Sequence, residues 1–261
     1  MRRHALAFIL ALVLSAGLGE RAFAADITVL SAGAMRSVVQ ALAATYEQSS
    51  GNHLVFTFGT AGDVEKRLTD GEAFDVTIGT KPRLQKLEAA GTIVTGSTVV
   101  IGRSPIALAV RQGAPKPDIS SVDAFKKALL AAASVAYTDP ASGGTSGIHM
   151  AQVIRDLGIV DQVHVKPITG KPGAPPAVGE AIAHGEAEIG LQPISELAGV
   201  PGIDIVGLIP AALQTPDLTY AAGLPIKSKE QQAGAAFIKD LAGPSGARVV
   251  KAKGLIPGDG G

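Results

Sequence analysis

Short apolar runs alternate with amphipathic stretches along most of the chain. Ile27-Thr28-Val29-Leu30 predicts a strand. Ala34 to Gln48 predicts a helix, because Val38, Leu42 and Tyr46 recur at helical spacing. His53-Leu54-Val55-Phe56-Thr57-Phe58 is a second expected strand, and Asp63 to Leu68 a short helix ended by Asp70-Gly71. Phe74 to Gly79 reads as a third strand, followed by a helix over Leu84 and Leu87 that stops at Gly91. The alternation restarts with a strand at Ile106 to Val110. After a Pro-rich turn, Val122 to Ala133 is helical and Ser134 to Tyr137 extended. A helix follows from Thr145 to Leu157, and Val163 to Val165 is extended. Pro175 to His184 predicts a helix with proline in its first turn, where proline is tolerated. Glu188 to Leu191 and Leu218 to Leu224 are expected strands. The tail carries two helices, Glu230 to Leu241 and Ser245 to Lys253, and no strand of its own.

This pattern predicts an α/β fold of two lobes, each a mainly parallel sheet flanked by helices. Residues 25–106 and 222–261 form the first lobe and residues 107–221 the second, joined by two crossing segments near residues 106 and 222.

The start of the chain departs from the pattern. Arg2, Arg3 and His4 precede an apolar run from Ala5 to Leu18, and Ala22-Phe23-Ala24 follows. That layout predicts a signal peptide over residues 1–24, cleaved after Ala24, and hence a periplasmic protein. The run is shorter than the roughly 20 residues that a spanning helix needs. A lipid anchor is excluded, because the chain has no Cys; the same absence excludes disulfides and thiolate metal sites. Formal net charge is zero, which gives no reason to expect nucleic acid or an anionic membrane surface as a partner. No His pair is spaced three or four apart, and no HExxH or Gly-x-Ser-x-Gly motif exists, so no metal, cofactor or serine-hydrolase chemistry is expected. The chain is read as a monomer.

Candidate binding residues cluster where strands are expected to end and helices to begin. There, unpaired N–H groups and the positive end of the helix dipole collect anions. Ser31, Ala32 and Gly33 follow the first strand, and Thr60 and Ala61 follow the second. The richest loop is Asp139 to Gly147, with Ser142, Gly144, Thr145 and Ser146 as candidate contacts; it lacks the Gly-Lys-Ser/Thr ending of a nucleotide P-loop. Lys81 after the third strand and Lys171 in the turn Thr169 to Pro172 offer cations. Gln192 offers an amide that both donates and accepts.

Ser31-Ala-Gly-Ala-Met35, Phe56-Thr-Phe-Gly-Thr-Ala-Gly62, Phe74-Asp-Val-Thr-Ile78 and His184-Gly-Glu-Ala-Glu-Ile-Gly190 resemble the molybdate- and tungstate-binding periplasmic proteins. The resemblance implies the class II solute-binding fold, with a small multivalent anion in the cleft between the lobes. It also implies hydroxyl and N–H ligands at Ser31, at Thr60 and around Ser142 to Ser146. The chain departs from that pattern at Ser31-Ala32-Gly33, where Ala-Ala-Ser is usual. It departs again at Gln192, where tyrosine is usual, and in the cations Lys81, Arg36 and Lys171. Those departures make it similar to a divergent branch, the periplasmic aconitate isomerases. Their tricarboxylate would call for Lys or Arg partners. Two functions follow. One is an isomerase that interconverts cis- and trans-aconitate by a 1,3 proton shift, with His149, Glu180 or Asp139 as the base. The other is a substrate-binding protein that delivers molybdate, tungstate or a similar oxyanion to the membrane component of an ABC importer.

Overall fold

The computed structural model describes residues 24–170 and 177–258. The expected signal peptide therefore lies outside the described residues except for Ala24, as do Lys171 and Pro175.

The chain begins with β1 (Asp26–Ala32), α1 (Arg36–Ser50), β2 (His53–Gly59), α2 (Ala61–Thr69), β3 (Val76–Thr80), α3 (Lys81–Ala89) and β4 (Val99–Arg103). It crosses to a second lobe as β5 (Ile106–Arg111), α4 (Val122–Ala131), β6 (Val135–Thr138), α5 (Thr145–Asp156) and β7 (Val165–Ile168). That lobe continues with α6 (Val178–Ala183), β8 (Ile189–Pro193), α7 (Ile194–Leu197) and β9 (Ile203–Leu208). The return is β10 (Thr219–Gly223), followed by α8 (Gln231–Ala242), α9 (Pro244–Ala252) and β11 (Ile256–Pro257). One sheet has the order β11-β4-β10-β3-β1-β2 and the other β7-β6-β8-β5-β9.

Both sheets are mixed rather than mainly parallel. β1 pairs in parallel with β2 and β3, and β6 with β7 and β8. The strands at the crossings, β4, β5, β9 and β10, pair antiparallel with their neighbours. β4 runs into β5 with no helix between them, as the chain passes from one sheet to the other. The return strand starts at Thr219, so the second crossing ends before residue 222. The tail, expected to lack strands, adds β11 to the edge of the first sheet. A two-residue strand ending in proline is too short to leave a periodic signal.

The stripe read from the sequence of α1 is its buried face: Val38, Leu42 and Tyr46, with Val39 beside them. The Tyr46 ring meets Phe237 of α8 edge-on at 5.0 Å, which seats the tail on the first lobe. Asp75 fastens the same junction. Its Oδ2 accepts from the Thr28 hydroxyl at 2.6 Å and the Thr28 N–H at 2.9 Å. Its Oδ1 accepts from the N–H groups of Lys229 and Glu230 at 2.9 and 3.0 Å. Burial alone would raise this carboxyl, but these hydrogen bonds outweigh it and hold it below its ordinary range.

The two connections between the lobes are tied to each other. Gln214 lies on the longer one. Its Oε1 accepts from the Ile106 N–H at 2.9 Å, and its Nε2 donates to the Ile106 carbonyl at 2.8 Å and to the Ile209 carbonyl at 3.2 Å.

Candidate functional site

The register of the first sheet sets Ser31 opposite Phe58 and Ala32 opposite Gly59. The carboxyl ends of β1 and β2 are therefore level, and the turns that follow them lie side by side, as expected at the ligand-binding edge of an α/β sheet. From the second lobe, the end of β6 and the start of α5 face them. Between these segments is a cavity with about 30 Å³ of free volume. Ala32, Gly33, Thr60 and Ala61 form its first-lobe wall, and Thr138, Gly144, Thr145 and Ser146 its second-lobe wall. Glu196 of α7 and Tyr220 of β10 complete it.

The lobes meet above the cavity through backbone. The Gly62 N–H donates to the Gly143 carbonyl at 3.1 Å. The Thr60 hydroxyl donates to the Ser142 carbonyl at 2.7 Å, and Arg83 Nη2 donates to the Gly143 carbonyl at 3.2 Å. Glycine is required on both sides of this contact. A Cβ on Gly62 would lie 2.8 Å from the Gly143 Cα, and Gly143 itself has φ 73°, a left-handed conformation that glycine adopts without strain. Arg83 is held by an ion pair with Glu65, which also pairs with Lys86 at 2.6 Å.

The start of α5 is the open donor set. By helix geometry its first N–H groups lack intrahelical partners, and no side chain caps it. The Thr145 hydroxyl is buried with no hydrogen-bond partner among the described residues.

Two ionisable groups stand on the cavity wall. Glu196 also lines an adjoining cleft of about 380 Å³, together with Gly33, Arg36 and Glu180. Burial pushes the Glu196 carboxyl up to about 8; Arg36 draws it down and Glu180 pushes it further up. Burial also raises the Tyr220 phenol well above its ordinary value, and the neighbouring Glu196 charge adds to this. The Arg36 guanidinium lies 4.3 Å over the Phe58 ring, a cation–π contact that fixes its direction. Its Nε is buried without a partner among the described residues.

Residues 27–256 match the family model described as bacterial extracellular solute-binding protein. The chain belongs to that family. Aconitate isomerase from Pseudomonas sp is 39% identical over 236 residues, covering 88% of this chain and 87% of that protein. The molybdate-binding protein ModA of Azotobacter vinelandii is 27% identical over 255 residues, covering 94% and 96%. Among solved structures, the periplasmic molybdate-binding protein of Azotobacter vinelandii superposes with a TM-score of 0.73 at 19% identity. It covers 89% of this chain and 100% of that one, a likeness of fold.

In this solute-binding protein, several residues expected at the site lie elsewhere. Ser31 is fully buried, and its hydroxyl donates to the Ala32 carbonyl at 3.1 Å. The Ser142 hydroxyl donates to the Asp139 carbonyl at 2.6 Å. Gln192 is buried and engaged within the protein, away from the cavity wall. Lys81 is the exposed first residue of α3 and lines neither the cavity nor the adjoining cleft. Of the three expected bases, none is on the cavity wall. Asp139 accepts from the Ala141 N–H at 2.9 Å and the Thr169 hydroxyl at 3.2 Å, which organises its own loop. His149 lines a groove of about 550 Å³ with Arg83 and Asp217; that groove shares Thr145 with the cavity. Its Nε2 lies 2.7 Å from the Leu213 carbonyl, which can only accept, so that nitrogen carries a proton. Glu180 lines the adjoining cleft. Among the described residues, no group of three or more His, Cys, Asp or Glu is placed to hold a metal, and no helix is long and apolar enough to cross a membrane.

Sequence reasoning missed Glu196 and Tyr220. A signal for Glu196 existed: a carboxylate within Ile194-Ser195-Glu196-Leu197, just past a strand end, with no Lys or Arg three or four residues away. Tyr220 had none, because it reaches the cavity from a strand of the returning chain.

Proposed function

We propose that this protein is a periplasmic isomerase that interconverts cis- and trans-aconitate in the cleft between its lobes. The observation that carries the reading is the 39% identity to aconitate isomerase along nearly the whole of both chains. The geometry supports it. A cavity of about 30 Å³ is far below the roughly 300–1,000 Å³ of small-molecule pockets, but the adjoining cleft of about 380 Å³ shares Gly33 and Glu196 with it. A tricarboxylate lying across both would set one carboxylate at the start of α5, against N–H groups and the Thr145 and Ser146 hydroxyls. Its other carboxylates would lie toward Arg36. Closure at Gly62 and Gly143 would keep bulk water from the carbon that loses its proton. The leader, residues 1–24, would be removed on export, leaving Ala25 as the first residue.

One observation favours a second reading. Among its described walls the cavity itself carries no Lys or Arg, only N–H groups, hydroxyls and the two ionisable groups. Such a site suits a compact oxyanion, and the chain is 27% identical to molybdate-binding ModA. That reading is a substrate-binding protein serving an ABC importer. Proton NMR of purified protein mixed with trans-aconitate separates the two. The isomerase reading expects the cis isomer to appear at a rate proportional to protein. No conversion, together with tight molybdate binding by calorimetry, would establish the second reading instead.

A further inference from the structure

Glu196 stands where the cavity and the adjoining cleft meet, since it lines both. No hydrogen bond or ion pair holds its carboxyl among the described residues. Its backbone, in contrast, is fixed. The neighbouring Ser195 hydroxyl lies 2.8 Å from the Ser104 hydroxyl, and the Ser195 N–H donates to Ser104 Oγ at 3.3 Å; both serines are buried. The result is a carboxyl with no hydrogen bond among the described residues, on the short helix α7, lining the space between the α5 N-terminus and Arg36.

We propose that Glu196 is the catalytic base that takes the proton from one end of the three-carbon unit of the tricarboxylate and returns it to the other. The assignment rests on the isomerase reading. With one carboxylate anchored on α5 and the others drawn toward Arg36, the central carbons lie at the neck, beside Glu196. The C–H bond of the methylene breaks, its proton passes to the Glu196 carboxylate, and the electron pair spreads over the three carbons and the conjugated carboxylate. The new O–H bond then breaks, and its proton forms a C–H bond at the former vinyl carbon as the double bond moves one place. Nothing is oxidised or reduced, and no co-reactant is needed. One group serves both ends when both carbons present the same face.

Two further features fit this role. A base works best when its pKa lies near the working pH, and burial brings Glu196 to about 8. Tyr220, held protonated by its own burial, has a phenol that can donate toward the carboxylate on which charge collects. The charged groups facing Glu196 from the elements around it are Arg36 of α1, which favours its ionised form, and Glu180 of α6, which opposes it; Tyr220 of β10 faces it across the cavity.

The test compares wild type with Glu196→Gln and Glu196→Asp. Turnover of trans-aconitate is followed by NMR, and binding of propane-1,2,3-tricarboxylate by calorimetry. Glu196→Gln is expected to lose about 100- to 10,000-fold in kcat, the usual contribution of a positioned base. Its affinity for the saturated tricarboxylate should stay within about threefold of wild type, because the lost interaction belongs to the transition state. In wild type, kcat/KM should rise with pH as Glu196 ionises and level off above about 8. An aspartate carboxyl is intrinsically the more acidic, so Glu196→Asp should move that limb to lower pH. This variant also serves as the readout if the Gln variant fails to fold. Wild-type turnover with Glu196→Gln within about tenfold of it would overturn the assignment and leave the isomerase reading standing, as would an unshifted limb in Glu196→Asp. Absence of turnover in wild type would overturn both.

Discussion

The helices α2 and α5 meet the cavity from opposite lobes and start from similar sequences, Thr60-Ala61-Gly62 and Gly144-Thr145-Ser146-Gly147. Their N-termini are not equivalent. In α2 the Thr60 hydroxyl accepts from the Asp63 N–H at 3.0 Å, and the Asp63 carboxylate accepts from the Thr60 N–H at 2.8 Å, a complete capping box. The Gly62 N–H is turned to the other lobe. In α5 no side chain caps the helix, and the Thr145 hydroxyl has no partner among the described residues. One N-terminus closes the protein and the other is free to hold an anion. A Thr beside a strand end therefore does not by itself mark a ligand contact; the question is whether an Asp or Glu three residues on already engages it.

The sharpest way to break this comparison is Gly62→Ala. The added Cβ would meet Gly143 backbone at 2.8 Å. Within α2 alone, alanine should stabilise by about 0.5–1 kcal/mol. Overpacking the lobe contact should cost about 1–3 kcal/mol, so tricarboxylate affinity should fall about 5- to 150-fold while the melting temperature holds or rises. Small-angle scattering should show a larger radius than wild type at saturating tricarboxylate; an equal radius would mean that closure does not use this contact.

Thr145→Val tests the open end. Loss of a hydrogen bond to a charged group should weaken tricarboxylate binding by about 1.5–3 kcal/mol. The free protein should be unharmed or slightly stabilised, because an unpaired buried hydroxyl is removed. Calorimetry and urea unfolding together read the two opposite signs. Thr60→Val should behave in the reverse sense. Stability falls by about 1 kcal/mol through the lost cap. Affinity falls by at most about tenfold, through the one neutral bond to the Ser142 carbonyl. If Thr60→Val weakened binding more than Thr145→Val, the assignment of roles to the two helices would be reversed.

The smallest effect is expected at Lys81. Exposed at the start of α3 and outside both walls, Lys81→Ala should change tricarboxylate affinity by less than about twofold, the scale of an exposed charge. A larger loss would mean that the cleft rearranges to include α3.

What could be read from the sequence followed periodicity. The stripe Val38, Leu42, Tyr46 and the strand runs from Ile27 and His53 set the first lobe, and the Gly- and hydroxyl-rich turns marked Ala32, Gly33, Ala61, Thr145 and Ser146, all of which line the cavity. What could not be read depends on which way a side chain points after the turn. Ser31 precedes its turn and faces inward, to the Ala32 carbonyl, and the His149 ring is turned to the Leu213 carbonyl, off the cavity wall. Glu196 and Tyr220 meet only because β8 ends and β10 begins at the cleft, in different sheets.

Gln214 has a mechanical consequence. Its amide pairs with both the N–H and the carbonyl of Ile106, as a strand neighbour would, and also holds the Ile209 carbonyl. The two connections between the lobes are thereby spliced into a single axle. Sliding one past the other would break both Gln214–Ile106 hydrogen bonds at once, whereas bending both together can keep them. Shear is resisted and rotation is left free, which is the hinge form of domain motion. The lobes then have one soft coordinate, and displacement along it grows with distance from the axle. The start of α2 at Gly62 and the loop at Gly143, which meet across the cleft, act as the ends of two levers.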